Sequence, residues 1–551
     1  MTQPEEALNK YSVSPATDGL ERLEVAIIGG GPGGIVALKE MLAAGVTRIA
    51  LLECEPCIGG LFSRGYDGLQ LTSSALLSMF SDFPIPPGKD NHFWTKDEVV
   101  SYWTAYADHF GITPFLRLNH AVTGIRREAD GWHVGLIGRA PLHADKVILA
   151  TGNNVAPNLP DWHGQLTAVP SLHSGAYRNP KIFEGKNVVI VGGGESAADI
   201  TLEIAHVAQS CTVSLRGGPG WIVPRHRGET AADLSTHRAF WKLPASTGPI
   251  TSAVLLRADR RRAKSDPVLA EVVRLNESVA SPLGVRGTFG TKSLGLAQAV
   301  VWHGARRVGG IVSAKQSGRE LLTEDGTRIK DVDIILFATG YRSGAPILPK
   351  ELRDTDPRLL YKHMIDPDVG ASLIRIGFAR PPFGSQFPIM EMQARLAARI
   401  VTGRHRLPSA ERLRSAARAD ADRLLCQFGK SGQRVRGLVD YGHYLDDLAQ
   451  LIGCKPRLWG LLLTRPKLWM RVQYGAMQSS QYRLSGPGAC PELAESILRD
   501  LPLCPSPHVL RAGLAGLAFH VCTLGPIRHA VRRLLAGRIK GWRVQHLNRS
   551  S

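Results

Sequence analysis

The sequence predicts an α/β protein in which two dinucleotide-binding units are followed by a helical C-terminal extension. Two glycine-rich loops carry this prediction: Gly29-Gly30-Gly31-Pro32-Gly33-Gly34 and Gly192-Gly193-Gly194-Glu195-Ser196-Ala197. Each loop follows an apolar run typical of a buried strand and precedes a run typical of a helix. Glycines allow a tight turn against a pyrophosphate, and the helix N-terminus supplies free N–H groups for that anion. Two such loops in the same context predict two Rossmann-like domains rather than two ordinary turns.

The residue that ends the second strand of each unit differs in charge between the two units. It stands 24 residues after the first glycine of the loop, as Glu53 in the first unit and as Arg216 in the second. A carboxylate there accepts hydrogen bonds from a free ribose, whereas a guanidinium suits a 2′-phosphate. We therefore expect FAD in the first unit and NADPH in the second, although Arg216 could also be a plain surface arginine. The candidate FAD ligands are Gly29, Gly31, Gly34 and Glu53, and the candidate NADPH ligands are Gly192, Gly194, Ser196 and Arg216.

Composition limits the other classes of function. The chain has 551 residues, 44% of them apolar and 21% charged, with a net charge of +19. It contains no RNA-binding aromatic motif, zinc-finger spacing or basic repeat, so we expect no nucleic-acid partner and no metal site. Residues 1–22 are polar and lean acidic, and no uncharged apolar run reaches 18 residues. With eight cysteines in this length, a reducing cytoplasmic setting is the expectation.

The two units are expected to interleave along the chain. Two Ala-Thr-Gly segments, 150–152 and 338–340, end apolar strands and mark crossings between the domains. We expect the FAD domain to be interrupted by the NADPH domain, and the chain to be helical beyond about residue 405. The predicted boundaries are a polar tail over 1–22, an FAD-binding domain over 23–168 and 325–410, an NADPH-binding domain with an insertion over 169–324, a helical region over 411–504 and an apolar and basic tail over 505–551.

Two further features have alternative interpretations. Cys54 and Cys57 have redox spacing, but they follow Glu53 at the adenosine end of the expected FAD, which favours a structural pair. The C-terminal tail is rich in Leu, Ala and Gly, and after Asp500 it contains eight Arg or Lys residues and no acid. Such a tail suits peripheral contact with an anionic membrane, or it forms a terminal helix with a solvated basic end.

Several short motifs over residues 24–500 resemble those of the flavin-containing monooxygenases, which hold FAD and NADP in two Rossmann-like domains. They are Gly59-Gly60-Leu61-Phe62, Ser81-Asp82-Phe83-Pro84, His173-Ser174-Gly175-Ala176-Tyr177, Arg216-Gly217-Gly218 with Trp221, Phe337-Ala338-Thr339-Gly340-Tyr341, Glu391-Met392-Gln393-Ala394-Arg395 and Gln481-Tyr482-Arg483-Leu484-Ser485-Gly486-Pro487-Gly488. The sequence departs from the family in two places. Thr72-Ser73-Ser74 stands where many members have an Asn near the flavin, and Trp162-His163-Gly164 lies farther upstream of His173 than the family pattern has it.

The resemblance implies a monooxygenase in which NADPH reduces FAD and the reduced flavin reacts with O₂. The C4a-hydroperoxyflavin then passes one oxygen atom to a soft nucleophile, an amine nitrogen or sulfide sulfur of a small-molecule substrate. It also implies further site residues: Gly60, Leu61 and Phe62 along the flavin, Thr72, Ser73 and Asp82 as catalytic candidates near its ring, Ser174 and Arg225 toward NADPH, and Gln393 toward the flavin. His173 is interpreted as a structural residue linking the domains.

Other outcomes of the same two-nucleotide plan stay open. They are Baeyer–Villiger oxidation of a ketone, N-hydroxylation of an amine or amino acid, and NADPH oxidation without oxygen transfer. Tyr177 at the end of its motif favours heteroatom oxygenation, because the ketone-oxidising group usually has Trp there. The sequence leaves the substrate and the oligomeric state open.

Overall fold

The structure is a computed structural model that describes residues 20–523, apart from positions 87, 90, 219, 280 and 343. Residues 1–19 of the expected polar tail and residues 524–551 of the expected basic tail lie outside this range. Within it, the chain forms two mostly parallel sheets flanked by helices, followed by a helical C-terminal region. The fold class predicted from the sequence is confirmed.

The first sheet is built around the strand that precedes the first glycine loop. This strand, Glu21–Ile28, pairs in parallel with Ile49–Leu52 on one side and with Leu142–Leu149 on the other. Val25 therefore lies beside Ile49 and Lys146. The sheet order is Leu116–Arg117, Ile49–Leu52, Glu21–Ile28, Leu142–Leu149, Gly131–Leu136 and Val122–Glu128, and Leu373–Arg375 also pairs with Leu142–Leu149.

The second sheet is parallel throughout and has the strand before the second glycine loop, Asn187–Val191, at its centre. Its order is Arg306–Val308, Ser210–Ser214, Asn187–Val191, Ile334–Phe337 and Ser171–His173. Ile334–Phe337 thus lies in the second domain, whereas the sequence boundaries assigned it to the first. The apolar run Ile334-Ile335-Leu336-Phe337 is buried in either domain, so its composition does not indicate which sheet it joins.

The two connections between the domains pair with each other. Ala156–Pro157 follows the first Ala-Thr-Gly segment, Tyr341–Arg342 follows the second, and the two form an antiparallel ribbon. The placement agrees with the expectation that these segments mark crossings. The remaining short strands are Trp221–Ile222 with Gly290–Thr291, His226–Arg227 with Thr230–Ala231, and Ile311–Lys315 with Glu320–Thr323 and Arg328–Ile329.

Helices cover both sheets and form the C-terminal region. Gln386–Val401 packs along Pro32–Ala43 beneath the first sheet, and Tyr441–Ile452 packs on Gln386–Val401. The α-helices are Pro32–Ala43, Ala75–Ser78, Lys96–His109, Glu195–Val207, Arg238–Trp241, Gly248–Arg262, Pro267–Ser278, Gly295–His303, Lys350–Arg353, Gln386–Val401, Ala410–Arg434 (interrupted at Gly429), Tyr441–Ile452, Leu458–Thr464, Pro466–Tyr474, Pro491–Asp500 and Pro507–Thr523. This region adds its core to that of the first domain.

Candidate active site

The first glycine loop is packed so closely that Gly29 and Gly34 cannot be replaced without a clash. Gly29 has a φ of 110°, and a Cβ there would stand 2.6 Å from the carbonyl oxygen of Ala150. A Cβ on Gly34 would stand 1.9 Å from the carbonyl oxygen of Gly29. Gly31 precedes the helix without a side-chain cap, and a Cβ on Gly60 would lie 3.2 Å from its Cα. This bare helix N-terminus fits the pyrophosphate of a dinucleotide.

Glu53 is fixed at the end of the second strand and is only 4% exposed. Its Oε2 accepts the Gly30 N–H at 2.5 Å, and its Oε1 accepts the Glu55 N–H at 2.9 Å and the Cys54 thiol at 3.1 Å. A carboxylate has about four lone-pair positions, so one remains for a ribose hydroxyl. Burial and the Glu53 carboxylate raise the pKa of the Cys54 thiol to about 11. That shift disfavours thiolate chemistry and agrees with the structural interpretation of Cys54.

The second glycine loop has one closed side and one open side. Gly192 has a φ of 127°, and a Cβ there would stand 2.2 Å from the carbonyl oxygen of Ala338. By contrast, nothing lies within 4 Å of a Cβ placed on Gly194, which precedes the helix Glu195–Val207 without a side-chain cap. Ser196 is exposed in the first turn of that helix. The open side fits a nucleotide that approaches the helix N-terminus from solvent.

Two guanidinium groups without carboxylate partners lie beyond the strand Ser210–Ser214. Arg216 is exposed, and neither it nor Arg434 pairs with an acid within the described part of the chain. Arg434 Nη1 donates to the carbonyl oxygen of Gly218 at 3.3 Å. Desolvation and the positive charge of Arg216 lower the pKa of Arg434. Two neighbouring unpaired cations fit a 2′-phosphate better than a free ribose.

A cleft with about 520 Å³ of empty space, partly open to solvent, lies between the two domains and is called here the small cavity. The ring of Phe62 at its wall packs edge-on against Trp103 at 5.4 Å. The helix Gln386–Val401 begins at this wall, where Ser385 Oγ accepts the Phe387 N–H at 3.4 Å, so the positive end of the helix dipole adjoins the cavity. The lining residues are Phe62, Leu71, Thr72, Ser73, Glu195, Phe289, Lys292, Arg380, Pro381, Pro382, Gly384, Ser385, Gln386 and Phe387.

A second cleft, with about 830 Å³ of empty space that is partly open to solvent, has a mostly aromatic and aliphatic wall and is called here the large cavity. Its two arginines are neutralised, because Arg225 pairs with Asp199 at 2.7 Å and Arg227 pairs with Asp259 at 3.3 Å. The lining residues are Thr72, Phe93, Trp221, Val223, Pro224, Arg225, Arg227, Ala232, Asp233, Ser235, Thr236, Phe240, Trp241, Leu255, Asp259, Val285, Lys292, Phe383, Gly384 and Val509.

Three residues, Thr72, Lys292 and Gly384, line both cavities. Lys292 Nζ donates to the carbonyl oxygen of Gly384 at 2.9 Å and has no ion-pair partner among the described residues. The Thr72 hydroxyl makes no hydrogen bond to any described residue, whereas the Ser73 hydroxyl bonds Ser78 Oγ at 2.8 Å. Of the two adjacent hydroxyls, Thr72 is therefore the one available to a bound molecule.

Asp82 lies in a buried ion-pair network and lines neither cavity. Its carboxylate pairs with Lys39 and with Arg483, and Arg483 also pairs with Glu40 at 2.8 Å and Glu391 at 3.0 Å. Burial raises the pKa of Asp82 in spite of these cations. The structure thus places Asp82 in this buried network and not on the wall that Thr72 and Ser73 line.

Gln393 is also placed away from the cavities. Its Oε1 accepts the Gly377 N–H at 2.9 Å, its Nε2 donates to Tyr444 Oη at 2.8 Å, and the side chain is fully buried. The glutamine that lines the small cavity is Gln386, two turns earlier in the same helix. Leu61 is 42% exposed and lines neither cavity, unlike its neighbour Phe62.

His173 is placed as a structural residue. Its Nε2 donates to the carbonyl oxygen of Gly340 at 2.9 Å, and its Nδ1 accepts the Gly175 N–H at 3.2 Å. Burial lowers the pKa of His173, so the neutral ring with its proton on Nε2 is favoured. The neighbouring Ser174 bonds through its backbone N–H to Phe337. Arg225, held by Asp199, faces the large cavity.

Sequence reasoning missed most of the residues at the cavities, including two carboxylates and one ammonium group. Glu195 lies inside the second glycine loop, lines the small cavity, and has a buried Oε1 without a hydrogen-bond partner among the described residues. Asp233 accepts the Ser74 N–H at 2.6 Å on one oxygen, its other oxygen is unpartnered, and burial raises its pKa. Lys292 carries the ammonium group. Only the Gly-Gly-Gly-Glu spacing gave a signal, and it concerned Glu195 alone.

Comparison with known proteins agrees with this arrangement. A family model described as flavin-binding monooxygenase-like matches residues 302–503, and one described as pyridine nucleotide-disulphide oxidoreductase matches residues 26–225. The chain is 32% identical to a 4-hydroxybenzoate brominase (decarboxylating) from Marinomonas mediterranea, over 87% of this chain and 93% of that protein. It is 28% identical to a dimethylaniline monooxygenase (N-oxide-forming) from Oryctolagus cuniculus, over 84% of this chain and 89% of that protein.

The solved structure of an S-allyl-L-cysteine S-oxygenase from Allium sativum shares the fold. Its TM-score is 0.55 at 19% identity, and the match covers 82% of this chain and 95% of that one. The paired glycine loops, the small cavity between the two domains and the long match to the brominase lead to one assignment. The chain belongs to the flavin-binding monooxygenase-like family and is an oxidoreductase that uses FAD and NADPH.

Proposed function

We propose that this monooxygenase transfers one oxygen atom of O₂ to an amine nitrogen or a sulfide sulfur of a small, largely apolar molecule. The observation that carries the proposal is the junction at Thr72, Lys292 and Gly384, through which the large cavity adjoins the small one. A substrate held against the aromatic wall of the large cavity reaches the small cavity at this junction. The apolar wall also keeps water away from the reacting atoms.

The residues around the small cavity support binding of the flavin ring there. The first glycine loop and Glu53 would hold the FAD pyrophosphate and ribose, and Phe62 and the start of the helix at Gln386 would flank the ring. When bound, FAD supplies the activation of O₂. The N-terminus of this 16-residue helix favours negative charge on a group beside it, and the Thr72 hydroxyl can donate one hydrogen bond.

The residues of the second loop support binding of NADPH. Gly192, Gly194 and Ser196 would receive the pyrophosphate, and Arg216 with Arg434 would pair with the 2′-phosphate. Ser174 and Arg225 contribute indirectly in this proposal, because one bonds through its backbone and the other is held by Asp199.

A soft nucleophile fits the chemistry of the large cavity. An amine or sulfide attacks through its own lone pair, so oxygen transfer to it requires little acid–base work from side chains. The two arginines on this wall are correspondingly occupied, since Arg225 and Arg227 sit in ion pairs. Burial raises the pKa of Asp233, which favours its neutral form.

A second candidate is oxidation of an aromatic acid, with or without bromide. The relatives that are 32% and 30% identical are both 4-hydroxybenzoate brominases. Lys292 favours this candidate, because a cation without an ion-pair partner at the junction would attract a carboxylate or a halide ion.

Product analysis separates these candidates. The holoenzyme is given NADPH and O₂ with a tertiary amine, an alkyl sulfide, a cyclic ketone, an amino acid, or 4-hydroxybenzoate with and without bromide. We expect N-oxide or sulfoxide in amounts close to the NADPH consumed, with little H₂O₂. Brominated phenol would establish the second candidate instead, and ester or hydroxylamine would assign Baeyer–Villiger oxidation or N-hydroxylation. H₂O₂ equal to NADPH with every compound would contradict oxygen transfer and assign an oxidase.

We also propose that the segment 505–551 contacts an anionic membrane surface peripherally. Its helix Pro507–Thr523 exposes Leu514, Leu517 and Val521, while Ala512 is buried against the domain. None of the helices in the described range is long and apolar enough to cross a bilayer. A chain that lacks residues 524–551 is expected to bind anionic vesicles less tightly; equal binding would favour a terminal helix that only packs on the domain.

A further inference from the structure

Two short helices in the C-terminal region expose large apolar side chains to solvent. Leu458–Thr464 and Pro466–Tyr474 pack against each other and are joined at Arg465. Trp459 is 80% exposed and Leu463 is 81% exposed, and they lie one helical turn apart on the same face. Met470 on the second helix is 40% exposed. We call residues 455–471 the exposed hairpin.

The opposite side of the exposed hairpin is anchored in the protein. Val472, just beyond it, is fully buried, and Leu458, Leu461 and Leu468 pack against the main hydrophobic core. The next helix also holds it, since Arg465 pairs with Glu495. Trp459 and Leu463 therefore project from a helix whose opposite side is packed against the rest of the protein.

The exposed hairpin is strongly basic. No acidic residue occurs between Asp447 and Glu492, whereas residues 455–471 contain Lys455, Arg457, Arg465, Lys467 and Arg471. Arg457 and Lys467 have no carboxylate partner among the described residues, and Arg471 donates to the carbonyl oxygen of Leu501. Lys455 lies 3.8 Å from Asp446, a carboxylate that Arg238 already occupies. The patch thus combines exposed Trp and Leu with uncompensated positive charge.

We propose that the exposed hairpin docks the protein on an anionic lipid bilayer, with Trp459 and Leu463 inserted at the headgroup level. A tryptophan beside a leucine and several cations is the composition that an interfacial site requires. The charge argues against the chain's own C-terminal tail as the occupant, because that tail is also basic and would be repelled. This surface lies outside segment 505–551, so it goes beyond the membrane contact proposed above.

The test is flotation of the full-length holoenzyme with phosphatidylcholine vesicles, with and without phosphatidylglycerol. We expect binding to the anionic vesicles that weakens with added salt, and much less binding to the neutral ones. The double variant Trp459→Ser/Leu463→Ser is expected to lower the partition coefficient about tenfold or more. The matched control is Trp302→Ser, a 58% exposed tryptophan on the helix Gly295–His303 of the second domain, and it should bind as the unmodified protein does.

Three results would overturn the proposal. The first is a double variant that floats as well as the unmodified protein; if the chain without residues 524–551 then fails to float, the tail alone makes the contact. The second is that the unmodified protein binds neither kind of vesicle, which would contradict both membrane proposals. The third is that light scattering detects self-association of the unmodified protein but not of the double variant. The exposed face would then be an interface between copies of the chain.

Discussion

The two glycine loops have nearly the same backbone plan but differ in how much of the protein surrounds them. Around the first, Gly31 meets Gly60, Glu53 bonds the loop backbone, and the following helix carries Lys39 and Glu40 into a buried ion-pair network. Around the second, Gly194 has no neighbour at its Cβ position, and Arg216 is exposed and pairs with no acid among the described residues. The difference matches a nucleotide that stays with the protein and one that enters and leaves during turnover.

The largest expected effect concerns the network beneath the first loop. Arg483→Met would leave Glu40, Asp82 and Glu391 without their shared cation, which should lower the stability of the first domain by about 3–5 kcal/mol. In the second domain, Tyr177→Phe removes only the 2.6 Å hydrogen bond to Glu203 and should cost about 1 kcal/mol. Urea titration of the holoenzyme checks both. Equal losses of unfolding free energy in the two variants would contradict the expected difference between the two domains.

The pH dependence of stability should reveal the buried network beneath the first loop. Although burial opposes it, Arg483 and Lys39 lower the pKa of Glu40 from 4.5 to about 2. Because the folded pKa is lower than the unfolded one, this group stabilises the fold above pH 4.5 and the stabilisation, about 3 kcal/mol, is lost as the pH falls toward 2. Thermal unfolding measured across this range should show the loss. Arg483→Met should flatten the dependence, and an unchanged slope would contradict the assignment.

Alanine at one glycine of each loop should separate resident from exchangeable binding. Gly29→Ala combines a positive φ with a clash on Ala150, so we expect a loss of about 2–4 kcal/mol and protein that does not retain FAD. Gly194→Ala meets open space and an ordinary φ of −82°, so the protein should fold and stay yellow. Its KM for NADPH should rise, because the methyl group occupies the open side. Flavin absorbance per chain and steady-state kinetics measure these outcomes, and loss of FAD from both variants would remove the distinction.

The smallest expected effects concern the cations beside the second loop. Arg216→Ala should weaken the binding of NADPH relative to that of NADH, because a charged hydrogen bond is lost. The rise in KM should correspond to about 1.5–3 kcal/mol. Arg434→Ala should act in the same direction by about 0.5–1.5 kcal/mol, since this group already bonds Gly218. The control is Arg418→Ala, because Arg418 is an exposed arginine on the helix Ala410–Arg434 that also carries Arg434. Equal changes for NADPH and NADH would show that neither arginine reads the phosphate.

The parts of the fold that follow from local spacing could be predicted from the sequence. The glycine loops, the strands before them, and the positions of Glu53 and Arg216 depend on residues within one βαβ unit. The sheet that Ile334–Phe337 joins depends on pairing with Asn187–Val191, far away in the chain, and an apolar run gives no sign of that partner.

The cavities were less predictable, because they assemble side chains from distant segments. Thr72, Glu195, Lys292 and Gln386 come from four different parts of the chain. Two motifs also drew attention to residues that line neither cavity. Asp82 and Gln393 belong to short patterns that resemble the family's, yet the structure places them in buried hydrogen-bond networks that hold helices together.

The helix Pro507–Thr523, the last helix of the described range, contributes Val509 to the wall of the large cavity. The chamber that would select the substrate is thus shaped in part by a segment outside both dinucleotide-binding units. Chimeras that exchange only this final helix between relatives offer a direct way to retune which molecules the chamber accepts.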